Sequence, residues 1–233
     1  ESMRYEPNAV ERLAKLSAKE TGASEGQLAF VEKDVWLTYM LRHIYLTAGA
    51  REELALKGGT CLVKCHYGRY RFSEDLDFTW TAGKAGKKTN RGNFRKKYVE
   101  PLVADLGFGW EETPQIKGGE RHSHSGKILN YFLTAPAAES RSQELKVKIS
   151  VSFDETIAFP LQSKTARPAE LSAAKKKECT AYFGKPAEDY FAPLEVTAYS
   201  KEEIACEKVR ALLTRKEKLN RSRDVVDLLY LSK

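Results

Sequence analysis

Residues 57–78 read KGGTCLVKCHYGRYRFSEDLDF and contain two features that we expect to decide the fold. The first is the turn Lys57-Gly58-Gly59-Thr60, which follows an apolar run at 54–56 and precedes a short segment with helical potential. Two adjacent glycines let backbone N–H groups converge on an anion, and a helix N-terminus adds free donors and a favourable dipole. The turn therefore predicts a phosphate site between a strand and a helix.

The second feature is the segment 73–78, which alternates in character as a half-buried strand does. Leu76 and Phe78 fall on one face, and Asp75 and Asp77 fall on the other. Two residues along a strand span roughly 6.6 Å, so the two carboxylates can converge on a pair of Mg²⁺ ions, as in phosphoryl or nucleotidyl transfer. Glycine pairs also mark ordinary turns and acid pairs ordinary strand ends, so either feature alone is a weak signal.

In this order, and with Arg-Phe-Ser-Glu at 71–74 immediately before the acid pair, the two features together are a specific signal, although each alone is weak. The pattern resembles the DNA polymerase β nucleotidyltransferase superfamily, and the fuller reading KGGTxL…RFSEDLDF is similar to its AbiEii branch. Members of that branch are the toxins of type IV toxin–antitoxin and phage-abortive systems. The resemblance implies an α+β fold, with a polymerase β-type mixed sheet flanked by helices and a C-terminal helical part.

For the site, the resemblance implies a nucleotidyltransferase that moves NMP from an NTP to an acceptor hydroxyl group with the help of Mg²⁺, or alternatively Mn²⁺. Asp75 and Asp77 would be catalytic and would bind the metal. The residues implied to bind the nucleotide are Lys57, Gly58, Gly59, Thr60 and Ser73. The implied partners are RNA, such as a tRNA 3′ end, as the acceptor, and a cognate antitoxin protein.

Two C-terminal segments, 207–213 and 223–228, also resemble motifs of AbiEii proteins. Carried over by position, Lys208 would contact phosphate and Asp224 would be a catalytic or site-organising acid. The structural alternatives are a lysine that lies at the edge of an apolar stripe and an aspartate that caps a helix. Asp227 is a weaker candidate on the same helix face as Asp224. Family members commonly continue with more helices, so the resemblance covers most of this chain without implying a whole family protein.

One strand departs from the superfamily pattern. The segment 145–153 alternates as a half-buried strand, and a strand of this kind usually supplies a third carboxylate in the superfamily. Its exposed face carries Lys148 and Ser150 instead. Asp154, just beyond the strand, is one substitute, and a carboxylate from elsewhere in the chain is another.

Composition bounds the class of protein. The chain has 233 residues, 42% of them hydrophobic and 30% charged, which are values typical of globular proteins. It has no apolar run long enough for a membrane span and no signal-peptide pattern, so we expect a cytoplasmic protein. The four cysteines, Cys61, Cys65, Cys179 and Cys206, have no spacing typical of a metal site or a disulfide framework. Cys61 and Cys65 fall on one side of the short helix after the glycine turn, which favours small buried thiols over metal ligands.

The net charge is +7, and basic residues concentrate at 84–97 and at 208–223. Such clusters suit an acidic partner, either a nucleic acid or the triphosphate itself. A solvated face is the alternative explanation. Because like charges near the site would oppose a cationic acceptor, the first cluster argues against an aminoglycoside-type acceptor, which is the second candidate.

From the spacing of prolines and apolar segments we predict three parts. Residues 1–159 form the nucleotidyltransferase core with N-terminal helices, 160–193 form an irregular connection, and 194–233 form a mainly helical C-terminal part.

A third candidate function is a non-catalytic nucleic-acid-binding domain that retains the fold. Lys148, which stands where an acid is expected, favours this candidate.

Overall fold

The molecule is an open mixed sheet flanked by helices, seen in a computed structural model that describes residues 4–83, 87–111, 116, 118–122, 127–138, 144–168, 170–214 and 218–233. The side chains of residues 87–89, 122 and 218–221 are outside this description. The strands are β1 Leu54–Lys57, β2 Asp75–Trp80, β3 Gly109–Trp110, β4 Glu120–His122, β5 Ile128–Thr134, β6 Lys146–Ser152, β7 Gln162–Ala166 and β8 Leu194–Ala198. The helices are α1 Pro7–Glu20, α2 Leu28–Leu46, α3 Ala50–Glu53, α4 Gly58–Cys61, α5 Lys87–Phe94, α6 Glu100–Leu106, α7 Ala173–Phe183, α8 Lys185–Phe191, α9 Lys201–Thr214 and α10 Lys218–Leu231.

The strands follow the order β3-β5-β6-β2-β1-β8-β7, and β4 pairs with β5. Strand β1 is antiparallel to β2 and parallel to β8, while β2 is parallel to β6. The two features of residues 57–78 are therefore neighbours in the middle of the sheet. Their register pairs Lys57 with Asp77, so the end of β1, where the glycine turn begins, lies beside the acidic start of β2.

Helix α2 is the central helix of the core. Its side chains are buried on most sides, including Trp36, Tyr39 and Met40, none of which is exposed to solvent. A helix that is apolar around most of its circumference must lie inside the protein, and α2 packs against β2, β8, α6 and α8. A capping box formed by Ser24 and Gln27 precedes it. The packing of α2 against β2 and β8 thus holds one face of the sheet in place.

The prediction of an irregular connection over residues 160–193 is wrong in its secondary structure. This segment contains β7, which is antiparallel to β8, and the helices α7 and α8. Tyr190 of α8 is fully buried, and the hydroxyl of Tyr39 donates to the carbonyl of Pro186 at 2.7 Å. Pro186 occupies the first turn of α8, where a helix needs no N–H donor. The prolines mark element ends, and the three-part division remains a prediction.

The two C-terminal helices place Asp224 away from a helix end. Helix α9 spans Lys201–Thr214, and α10 spans Lys218–Leu231. Asp224 therefore lies inside α10 and does not cap it. Among the described residues, no helix combines the length and apolar character that a membrane crossing requires.

Candidate active site

The glycine turn and the acidic strand lie side by side. Gly58 has a positive φ of 70°, which favours glycine, and a Cβ atom at this position would lie 2.7 Å from Oδ2 of Asp77. The backbone of the turn thus contacts the carboxylate directly. The two features therefore face a common space, as a shared nucleotide site requires.

That space is a cavity of about 430 Å³. It is bounded by the start of α4, the exposed face of β2 and β6, and the second half of α9. Its charged lining residues come from six segments of the chain: Lys57, Asp77, Lys148, Glu155, Glu207, Lys208, Arg210 and Asp224. A volume of this size falls in the range of small-molecule sites, and the mixture of charges suits a polar ligand.

Asp75 is paired with Lys148, which occupies the adjacent position on the parallel strand β6. The Lys148 Nζ lies 2.9 Å from Oδ2 of Asp75. Burial raises the pKa of Asp75; the Lys148 charge offsets part of that rise, and the neighbouring Asp77 carboxylate adds to it. Ser150, opposite Asp77, donates to Asn130 at 2.8 Å. The third-carboxylate position of β6 is thus filled by a cation and a hydroxyl group.

A divalent metal fits this arrangement only if protein carboxylates and substrate phosphates coordinate it together. Among the described residues, no group of three His, Cys, Asp or Glu side chains is placed to bind a metal. Asp75 and Asp77 alternate with buried residues on β2 and offer two carboxylates on one face. Mg²⁺ commonly binds through one or two carboxylates plus substrate phosphates, and these two acids fit that mode.

Thr60 and Ser73, which we predicted to bind nucleotide, are buried within the protein. The Thr60 hydroxyl lies 2.5 Å from Oγ of Ser73 and 2.5 Å from the carbonyl of Asp75. Thr60 is not exposed at all, and Ser73 is 7% exposed. Their hydrogen bonds join the glycine turn to the first residue of β2. They therefore fix the position of Asp75 relative to the turn.

Lys57 forms ion pairs with two glutamates that were not among the predicted site residues. Its Nζ lies 2.9 Å from Oε1 of Glu207 and also donates to Glu155. Burial alone would lower the pKa of Lys57, but the charges of Glu207 and Glu155 outweigh it and hold that pKa above its usual value. The ammonium group is thus held between the two carboxyl groups.

Asp154 and Glu155 have opposite orientations. Asp154, the substitute that we considered for the missing acid, is half-exposed and lies 3.5 Å from Lys127. Glu155 lines the cavity and accepts from Thr79 at 3.0 Å and from Arg210 at 3.2 Å. Since Thr79 follows Asp75 and Asp77 on the same face of β2, Glu155 extends their row of polar groups. A carboxylate from outside β6 thus stands beside that row, one residue beyond Asp154.

Lys208 and Asp224, carried over from the family motifs, are in direct contact. The Lys208 Nζ lies 2.7 Å from Oδ1 of Asp224 and 2.8 Å from Oδ2 of Asp227. Asp227 is fully buried and also accepts from Arg71 and Tyr70. Burial alone would raise the pKa of Asp227, but the hydrogen bond from Arg71 and the charge of Lys208 outweigh it and lower the pKa.

Arg71 connects the ion pairs of Asp227 to the glycine turn. A Cβ atom on Gly59 would lie 2.0 Å from Nη2 of Arg71, so the second glycine is needed for the approach of the guanidinium group. The ring of Tyr70 stacks on Tyr230 near the end of α10, with centroids 4.1 Å apart. Helix α10 is therefore attached to the segment that follows the turn by both ion pairs and aromatic contact.

The basic clusters divide between the cavity and the surface. Lys208 and Arg210 line the cavity, whereas Arg223 pairs with Glu74 outside it. In the first cluster, Arg95 pairs with Glu100 and Glu120, and Lys97 pairs with Glu53. Residues 84–86 and the side chains of 87–89 lie outside the described residues. A role for the first cluster in binding nucleic acid stays a prediction.

Comparison with known proteins gives a family match and a match to six chains of solved structures. The family model described as nucleotidyl transferase AbiEii toxin, type IV TA system, matches residues 39–233. The structure of MenT4, a nucleotidyltransferase toxin from Mycobacterium tuberculosis H37Rv, is similar with a TM-score of 0.50 and 20% sequence identity. The match covers 84% of this chain and 57% of MenT4. Because the sequence identity is only 20%, the similarity shows the fold alone. No curated protein sequence matches the chain.

Proposed function

This chain belongs to the AbiEii family of nucleotidyltransferase toxins of type IV toxin–antitoxin systems, and we propose that it transfers NMP from an NTP to a hydroxyl group of RNA. The observation that carries the proposal is the contact between the glycine turn and the acidic strand. Gly58 can approach Asp77 closely because it has no Cβ atom. Phosphates bound at the turn would thus lie next to the acid.

In this mechanism the backbone N–H groups at the start of α4 bind the β- and γ-phosphates. Lys208, which Asp224 and Asp227 hold at the cavity wall, neutralises charge that grows on the departing pyrophosphate. Thr60 and Ser73 act by positioning Asp75, and Lys57 acts through Glu155 and Glu207. Most of the catalytic effect is then positioning and electrostatic stabilisation.

Asp75 and Asp77 are the residues that would hold Mg²⁺, or Mn²⁺. When bound, the metal would polarise the α-phosphate and neutralise developing charge. Lys148 competes for Asp75 in the absence of substrate, since its ammonium group is within 2.9 Å of the carboxylate. Its displacement from Asp75 would accompany the binding of the metal together with the nucleotide.

RNA such as a tRNA 3′ end is the acceptor that we favour. The cavity carries Lys208 and Arg210, and the chain has a net charge of +7, which suits a polyanion. A cationic small molecule would be repelled by the same charges, although the acids of the cavity keep an aminoglycoside as the second candidate. A cognate antitoxin partner and a cytoplasmic location remain part of the proposal.

The test is transfer of label from each α-labelled NTP to total tRNA in the presence of Mg²⁺. We expect the wild type to label RNA and Asp77→Asn to lose at least about a hundredfold in rate, since loss of a metal ligand forfeits several kcal/mol of transition-state stabilisation. Asp154→Asn is the matched control, because it removes an acid outside the cavity. Label on an aminoglycoside alone would support the second candidate. RNA binding without label transfer, equal in both variants, would contradict an enzymatic function and support a non-catalytic nucleic-acid-binding domain.

A further inference from the structure

Glu155 and Glu207 form a partly buried carboxyl pair in the same cavity as Gly58 and Asp77. They come from different elements, Glu155 from the segment after β6 and Glu207 from the middle of α9. Lys57 donates to both. The exposed fraction of their side chains is 11% and 17%, so both are accessible from the cavity and largely withdrawn from water.

The two carboxyl groups have unequal surroundings. Glu155 accepts from Thr79 and Arg210 in addition to Lys57. The described donor to Glu207 is Lys57, at 2.9 Å. A carboxylate with three donors is stabilised in its charged form, whereas a carboxylate beside another negative charge is not. One proton is therefore held preferentially on Glu207.

Resting on the proposed function, we propose that Glu207 is the catalytic base that removes the proton from the attacking hydroxyl group. Glu155 and Lys57 are positioning residues: the charge of Glu155 keeps Glu207 basic, and the hydrogen bond from Lys57 holds its carboxyl group in place. Pairs of acids whose surroundings separate their proton affinities are a common source of acid–base function in enzymes.

The electrostatic surroundings of the pair agree with this division. Burial raises the pKa of Glu207 to about 7; the charge of Lys57 opposes the rise, and that of Glu155 adds to it. Burial would also raise the pKa of Glu155, but Lys57 outweighs it and lowers that pKa to about 2. Glu207 can thus accept a proton near neutral pH.

Several other titratable groups surround Glu207. Tyr199, just before α9, and Cys61 of α4 both interact with its charge. The pKa of each is raised, mainly by burial, so both are neutral at pH 7. Lys208 and Arg210 of the same helix line the cavity as cations. Among these groups, Glu207 is the one that changes charge near neutral pH.

Proton transfer to Glu207 accompanies the attack of the acceptor oxygen on the α-phosphorus. The O–H bond of the acceptor breaks, and its proton moves to an ionised Glu207 oxygen. The acceptor oxygen forms a bond to the α-phosphorus, while the bond from that phosphorus to the bridging oxygen breaks and its electron pair leaves on pyrophosphate. Glu207 then returns its proton to solvent through the open side of the cavity.

The experiment is the pH profile of single-turnover label transfer to total tRNA. In the wild type we expect the rate to rise with pH along a limb near pH 7. In Glu207→Gln we expect a rate at least about a hundredfold lower, no limb near 7, and unchanged affinity for α,β-methylene NTPs. In Glu155→Gln the limb should move to lower pH, because a charge that raises the pKa of Glu207 is gone.

Glu202→Gln is the matched control, since Glu202 is an exposed glutamate on the same helix, and its profile should equal that of the wild type. A Glu207→Gln protein with wild-type rate and profile would overturn the inference, as would an unmoved limb in Glu155→Gln. The second variant keeps the test decisive if Glu207→Gln does not fold.

A second measurement separates this inference from the proposed function. Carboxyl NMR of ¹³C-glutamate-labelled wild type should show one glutamate that titrates near pH 7, and its signal should be absent in Glu207→Gln. If no glutamate titrates near 7, Glu207 is not the base, whether or not label is transferred. If this titration is seen but the wild type transfers no label to any acceptor, the proposed function fails and the assignment of Glu207 as base fails with it.

Discussion

Arg71 and Asp227 form a two-point ion pair, with Nε 2.6 Å from Oδ1 and Nη2 2.8 Å from Oδ2. The two residues are far apart in sequence, one just before the acidic strand and the other in α10. A planar guanidinium group matches a carboxylate in this way, and a lysine cannot reproduce it. The pair joins the last helix to the glycine turn, because the guanidinium group also lies against Gly59.

We expect Asp227→Asn to destabilise the fold by about 3–5 kcal/mol, because it leaves Arg71 without its buried counter-charge and Lys208 with Asp224 alone. Urea unfolding measures this loss. The control is Arg223→Gln, which removes an exposed ion pair with Glu74 and should cost less than about 1 kcal/mol. Equal costs for the two variants would contradict a special role of the buried network.

Gly58→Ala should abolish most of the activity at a small cost in stability. A methyl group at this position would lie 2.7 Å from the Asp77 carboxylate, and displacement of a catalytic group by about 1 Å can cost about a hundredfold in rate. Gly22→Ala is the control: Gly22 has a similar φ of 68° with no heavy atom near the added carbon. Each variant should lose about 1–2 kcal/mol of stability, and label transfer should fall in Gly58→Ala alone. Equal transfer by both would show that the contact is unimportant.

Lys148→Met should increase the affinity of the protein for Mn²⁺ by about tenfold, because a cation that competes for Asp75 is removed. Mn²⁺ titration in the presence of an α,β-methylene NTP, followed by electron paramagnetic resonance at pH 8, measures this affinity, since loss of Lys148 raises the pKa of Asp75 further and the site must be ionised. Lys146→Met is the control, because Lys146 lies two residues earlier on β6 and pairs with Glu111. An unchanged or lower Mn²⁺ affinity in Lys148→Met would indicate that Asp75 is not a metal ligand.

The stability of the wild type should contain a component that falls as pH rises from about 4.5 to about 7. In this window the folded state keeps a proton on Glu207, whose pKa is raised to about 7, while the unfolded state has released it. The folded state therefore binds more protons, and the free energy of unfolding decreases with pH by on the order of 3 kcal/mol. Urea unfolding at pH 5 and pH 8 should show that Glu207→Gln lacks this component. The same pH dependence in both proteins would contradict a neutral Glu207 in the fold.

The central motif could be predicted from sequence because its geometry is local. The alternation of 73–78 fixes which face Asp75 and Asp77 share, and Gly58 needs only the adjacent strand to meet Asp77. The α+β fold and the family were also correctly predicted from this stretch. Local patterns do not, however, tell which hydroxyl groups are buried, and Thr60 and Ser73 are bonded within the protein.

The carboxyl pair could not be predicted in this way. Glu155 and Glu207 are 52 positions apart and become neighbours only through Lys57 and the packing of α9. The signal that was available is weak: Glu155 follows Asp154, which we considered as the missing acid, and Glu207 precedes Lys208 in a family motif. Likewise, the prolines of 160–193 mark the ends of elements as readily as they mark loops.

The tie between Asp227 and the glycine turn has a consequence for how a cell makes this protein. During translation the glycine turn, Asp75 and Asp77 leave the ribosome long before α10 does. Until α10 has emerged, Arg71 and Lys208 lack their counter-charge and the turn lacks its support. The nascent chain therefore cannot complete the ion pairs beside the turn until α10 has left the ribosome.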